Sequence, residues 1–273
     1  RVVQALGACA TSVLARAVAR DLFDGQALVR ALSLIMIAMA AAPGFSPLLG
    51  GAFNSWLGWQ STFALVGVLA VVLAFHYNIK LGETHNADKR SVTSIPTILK
   101  TYWRLLTDWR FTAPALAVSF ILGALYAFFA MAPAILMAGF HFSPFGLGVF
   151  FASTVFVVFG AGFLAPRLAH RWGQVKAARI GIVVALAGGS ALLLGKEDFV
   201  FFSASLAIFL LGMGVANPLG TAIALQPFGR QAGAASALLG FLQMGCAALA
   251  ISVSAMLGVP AYTALGIILT SSL

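Results

Sequence analysis

Arg1, Gln4 and Gly7 stand three residues apart in an otherwise apolar run, so one helix face would carry a guanidinium, a carboxamide and a gap in the side-chain wall. A guanidinium inside lipid is costly enough to need a counter-charge or a water-filled cavity. No acid near in sequence supplies one: Asp21, Asp24, Glu83, Asp88, Asp108, Glu197 and Asp198 all fall in loops or at segment ends. Arg1 is read as a buried cation whose carboxylate lies upstream. The competing reading is an interfacial Arg at a helix end, snorkelling outward.

A second constellation is the run Ala-Pro43-Gly44-Phe-Ser-Pro47-Leu-Leu-Gly50-Gly51. Proline removes backbone donors and bends a helix, and glycine admits a close neighbour, so this run predicts a pliable and tightly packed element. Farther along, Tyr126 with Phe128 and Phe129, Asn217 with Pro218, and Gln243 combine aromatic surface with sparse hydrogen-bonding groups, as a cavity for a small organic molecule would. The competing reading of each is packing, with Asn217 and Gln243 joining helices by hydrogen bonds. No constellation supports catalysis: there is no His-x-x-x-His, Cys-x-x-Cys or Gly-Lys-Ser/Thr phosphate loop. Cys9 and Cys246 sit in apolar segments with no metal-ligand spacing, and His76 and His141 fall at segment boundaries. The chain is expected to be no enzyme and to need no cofactor or metal.

The elements that carry these residues follow from composition. Of 273 residues 61% are hydrophobic and 8% charged, too little polar surface to cover a water-soluble fold. Apolar runs cover 1–19, 27–53, 60–77, 111–138, 145–165, 177–195, 199–225, 232–257 and 261–273. They are too long for barrel strands and lack polar alternation, so the expected fold class is an all-α integral membrane bundle. The net charge of +9 does not point to nucleic acid, because the basic residues cluster at segment ends. Arg16, Arg20 and Arg30, then Lys80 to Arg110, then Arg167, Arg171, Lys176 and Arg179, then Arg230 mark alternate connections, and Lys196 is the only basic residue in the others. The first set is assigned to the cytoplasm.

Residues 78–110 form the longest polar stretch and suit a cytoplasmic central linker with an amphipathic portion near Tyr102 to Leu106. Residues 1–77 then form three helices of a first half and 111–273 the six helices of a second. If the halves are repeats, nine segments of an expected twelve are present and three precede residue 1. Two points favour this. Arg1 lies roughly 22 Å along the helix from Arg16, still within a core about 30 Å thick, and the last segment is short for a span.

These residues resemble the major facilitator superfamily and, within it, the Bcr/CflA-like drug:proton antiporters. Arg1-x-x-Gln4-Ala-Leu-Gly7, followed by Ala15-Arg16-Ala-Val-Ala-Arg20-Asp21, is similar to the family's fourth helix and its cytoplasmic end. Pro47-Leu-Leu-Gly50-Gly51 with Gly58-Trp59-Gln60 and Phe63 resembles the antiporter motif of the fifth helix and the turn into the sixth. Glu83-Thr84 and Ala232-Gly233-Ala-Ala-Ser236-Ala-Leu-Leu-Gly240 resemble the end of the sixth helix and the eleventh. Ser46 departs from the usual Gly. His170-Arg171-Trp172-Gly173 resembles a degenerate second-half copy of the Asp-Arg-x-Gly gating loop, with His170 in the acidic position and Pro166 where Gly is usual.

The resemblance implies a secondary transporter that exports small drug-like molecules in exchange for protons by alternating access. Its expected partners are that small molecule, protons and a lipid bilayer, with no nucleic acid; a monomer in the bacterial inner membrane is expected. The resemblance makes Arg1, Gln4 and Gly7 the proton-coupling motif, and Pro43, Pro47, Gly50 and Gly51 the packing element that limits leakage. Two alternatives stay open: metabolite uptake or exchange by another branch of the superfamily, and a non-transporting membrane scaffold.

Overall fold

The computed structural model describes residues 2–23, 25–80 and 95–273; Arg1, Asp24 and the Glu83-Thr84 pair lie outside them. Among the described residues there is no strand, and each of the nine apolar runs is helical over most of its length. Within those residues the chain forms α1 (Val2–Leu22), α2 (Gly25–Leu57), α3 (Trp59–Lys80), α4 (Ile95–Thr107), α5 (Trp109–Ala132), α6 (Pro144–Trp172), α7 (Gln174–Leu194), α8 (Phe199–Leu225), α9 (Ala232–Met256) and α10 (Ala261–Ser271). A π-helical turn, Pro133–Gly139, extends α5, and a 3-10 stretch, Gln226–Gln231, joins α8 to α9. Six of these helices are long and apolar enough to cross a membrane. The protein is an all-α, multi-pass membrane protein.

The contacts divide into two compact units, Arg1–Val92 and Thr93–Leu273. In the first, α2 runs unbroken for 33 residues, roughly 50 Å, straight through positions 43 and 47. The expected bend is thus not a break: two missing amide donors are accommodated within one helix. Chain reversal comes at Gly58, whose φ of +79° is open to glycine and strained for other residues. The Ser61 amide and hydroxyl both donate to the Gly58 carbonyl, at 3.2 and 2.6 Å, closing the turn onto α3. No residue of α3 is buried.

The second unit holds the main core, and local chemistry sets its helix starts. Asp108 accepts from the Arg110 amide at 3.0 Å and caps α5. Ser143 accepts from the Gly146 amide, with Pro144 in the first helical position of α6. Asp198 accepts from the amides of Val200 and Phe201 at the head of α8. Such caps satisfy amides that have no partner inside the helix. Phe128, Phe202, Phe209, Leu265 and Leu269 are fully enclosed at the centre. The amphipathic stretch predicted in the polar connection is α4, which buries Leu105 against a cluster built on Phe111, Val118 and Leu239.

α7 and α8 form the tightest pair. A Cβ added at Gly188 would stand 2.4 Å from the Phe209 amide nitrogen, and one at Gly181 would stand 2.8 Å from the Gly212 carbonyl oxygen. The short α10 closes against the same layer: a Cβ at Gly266 would lie 2.8 Å from the Leu193 Cα. Lipid gives no hydrophobic reward for bringing helices together, so association rests on such close packing.

Candidate functional site

The candidate residues of the second unit sit on α5, α8 and α9. α5 packs extensively on both of the others, which barely touch each other. Two close contacts set the register. On α8, a Cβ at Gly220 would meet the Val118 side chain of α5; a Cβ at Gly123 of α5 would meet the Cys246 carbonyl of α9 at 2.9 Å. Asn217 lies three residues before Gly220, and Gln243 three before Cys246. Both amides therefore sit at the level of the Val118–Gly123 turn of α5, on its two flanks. Ser119, in the same turn, is fully buried and donates to the Ala115 carbonyl at 2.6 Å.

Asn217 is the chemically distinctive member. Its Oδ1 is buried and, among the described residues, has no hydrogen-bond partner, a state that costs free energy unless another group supplies a donor. Gln243 is half-buried on α9.

Tyr126 and Phe129 lie roughly 5 and 9 Å farther along α5 from Gly123. Tyr126 is half-buried and makes no ring contact among the described residues. Phe129 belongs to the core instead: its ring centroid is 5.3 Å from that of Phe128 and 5.2 Å from that of Phe151. The four candidates thus separate into a polar level at Asn217 and Gln243 and an aromatic level at Tyr126 and Phe129. A cavity of about 270 Å³ opens elsewhere, between α4 and α9, lined by Ile98, Thr101, Tyr102, Gly233 and Ala234.

In the first unit, Gln4 and Gly7 lie on the exposed part of α1, and the Thr11 hydroxyl donates back to the Gly7 carbonyl. Pro47, Gly50 and Gly51 are half-buried on α2, and nothing lies within 4 Å of where a Cβ on Gly50 would be. The position of Pro43 falls inside the same helix.

Gly173 ends α6 and begins α7 with a single residue at φ +83° and ψ 152°, a region essentially reserved for glycine. The Gly173 amide donates to the Ala169 carbonyl at 2.9 Å, and the Gly173 carbonyl accepts from the Ala177 amide at 3.0 Å. Arg171 lies over the Trp172 ring, 5.9 Å from its centroid. The spacing Arg171-x-Gly173 therefore makes a tight turn with an exposed basic side chain at its edge.

The α7–α8 seam went unread among the sequence motifs. Its signal was present as Gly181, Ala185 and Gly188 on one helix and Ser205, Gly212 and Ala216 on the other, small residues at helical spacing.

The sequence profile of the Major Facilitator Superfamily matches residues 1–267. The chain belongs to this superfamily. The superfamily is one of transporters, not enzymes. The Bacillus subtilis (strain 168) uncharacterized MFS-type transporter YdgK is 29% identical over 249 residues, covering 89% of this chain and 62% of that protein. The bicyclomycin resistance protein homolog of Haemophilus influenzae is 28% identical, covering 91% of this chain and 63% of the relative. The multidrug transporter MdfA of Escherichia coli O157:H7 is 26% identical, covering 89% and 60%. The chain thus spans about three fifths of the length of these superfamily relatives.

Proposed function

We propose that the protein to which this chain belongs is a proton-coupled exporter of small drug-like molecules in the bacterial cytoplasmic membrane, acting as a monomer. The observation that carries this reading is the company of the sequence match: superfamily relatives aligned over nine tenths of the chain include proteins named for multidrug transport and for bicyclomycin resistance. The chemistry of the candidate residues agrees with it. Sparse amides on apolar helices suit a cavity that takes apolar molecules carrying one or two polar groups. In this reading Asn217 and Gln243 hydrogen-bond the cargo and Tyr126 offers aromatic surface, while Phe129 packs against Phe128 and Phe151.

Arg1, with Gln4 and Gly7 on its helix face, holds a carboxylate of the coupling site in its charged form until cargo and proton exchange. Pro43, Pro47, Gly50 and Gly51 govern packing and leakage between halves that rock in alternating access, with residues 1–77 in one half, 111–273 in the other and 78–110 as the linker. Arg171 and Gly173 form the degenerate second-half copy of the gating turn.

The test is bicyclomycin flux in inside-out vesicles bearing the protein expressed from its complete gene. An acid lumen should drive accumulation, a protonophore should abolish it, and Arg1→Ala should abolish it while the variant still elutes as a folded species. Accumulation that ignores the proton gradient, or gradient-driven movement in the opposite direction, would reject proton-coupled export.

A further inference from the structure

The helix α4 presents two apolar faces, and among the described residues of its own unit only one of them is covered. Its helical period sets Ile98, Tyr102 and Leu105 on one side, and that side meets α5 and α9, with Leu105 fully enclosed. Next to it, Leu99, Trp103 and Leu106 form a second stripe, with exposures of 62%, 71% and 40%. Lys100 and Arg104 follow one turn apart along the far border of this stripe, both exposed and, among the described residues, paired with no carboxylate.

The joint to α5 holds this arrangement still. Asp108 is extended, with φ −85° and ψ 109°, so the chain changes direction there. The Thr112 hydroxyl reaches back to the carbonyls of Leu105 and Leu106, at 3.3 and 2.9 Å, tying the end of α4 to the first turn of α5. Trp109, 78% exposed, opens that membrane-crossing helix. The stripe therefore continues into the boundary where α5 enters lipid, the depth at which Trp side chains accumulate.

We propose that α4 is an interfacial helix that binds anionic phospholipid, with Leu99, Trp103 and Leu106 in the acyl boundary and Lys100 and Arg104 on the headgroup phosphates. A large exposed apolar stripe needs a covering phase, and its basic border selects which. A basic rim favours an acidic lipid over a zwitterionic one, by roughly a fivefold preference for each cation near the surface. The basic-residue pattern along the chain places this surface on the cytoplasmic leaflet.

The test reconstitutes the full protein in nanodiscs and reads tryptophan quenching by lipids brominated in the upper acyl chain. The contribution of Trp103 is the signal lost in Trp103→Phe. Brominated phosphatidylglycerol should quench it in preference to brominated phosphatidylcholine at equal mole fraction. Lys100→Gln and Arg104→Gln should each lower that preference roughly fivefold, with thermal unfolding unchanged because both side chains are exposed. A Trp103 signal quenched by neither lipid, whether the residue faces water or a second copy of the chain, overturns the proposal. Equal quenching by the two lipids in the wild type overturns the headgroup assignment.

Discussion

Gly212 on α8 meets Ala185 on α7 so closely that a Cβ on the glycine would stand 2.3 Å from the Ala185 amide nitrogen. The obstacle is backbone, which no rotamer change moves aside. The α7–α8 pair is thus joined through main chain, and its separation is set by the side chains missing at Gly181, Gly188 and Gly212.

Gly212→Ala must push the two helices apart, with an expected loss of about 1–3 kcal/mol, the usual range for overpacking a tight interior. Gly160 on α6 has nothing within 4 Å of its would-be Cβ. There the same substitution gains helix propensity, worth up to about 1 kcal/mol. Thermal unfolding in one detergent should show opposite shifts, and a Gly212→Ala protein as stable as wild type would contradict the seam.

Gly173→Ala tests the turn between α6 and α7. Its φ of +83° with ψ 152° is strained for any side chain, at a cost of about 1–3 kcal/mol even though no neighbour crowds the site. The unfolding midpoint should drop. Because space is not the obstacle, Gly173→Ser should lower it by a similar amount; a loss that scales with side-chain volume would argue against strain.

Tyr262 tethers α10 to the connection before α8: its hydroxyl donates to the Lys196 carbonyl at 2.9 Å while its ring packs on Phe202 with centroids 5.9 Å apart. Tyr262→Phe keeps the ring and removes the tether, for about 0.5–1.5 kcal/mol. Trypsin should then cut faster after the exposed Lys196. An unchanged cleavage rate would show that the Tyr262 hydroxyl does not hold the connection.

A substitution at Asn217 distinguishes the proposed cargo contact from packing. Its Oδ1 is buried without a partner among the described residues, so the near-isosteric Asn217→Leu should leave stability unchanged or raise it by about 1 kcal/mol. Under the proposed export of bicyclomycin, losing that cargo hydrogen bond should lower flux up to about tenfold in the same variant. Lost flux together with lost stability would instead make Asn217 a structural residue.

Sequence by itself determined the solvent, the helical class and the family. Runs of apolar residues near the bilayer's thickness, bounded by charge and glycine, have no other way to satisfy their backbone groups in lipid, and each of the nine became a helix. The turn glycines Gly58 and Gly173 were likewise readable, since short polar breaks between such runs leave few residues able to reverse the chain. What only the tertiary structure decided was which faces meet. Phe129 looked no different from Tyr126 in the sequence, yet one joins the Phe128–Phe151 core and the other does not. In helices that are apolar on nearly every side, periodicity does not mark the buried face. That choice is made by shape, where a missing Cβ lets one backbone lie against another, and shape depends on residues distant in sequence.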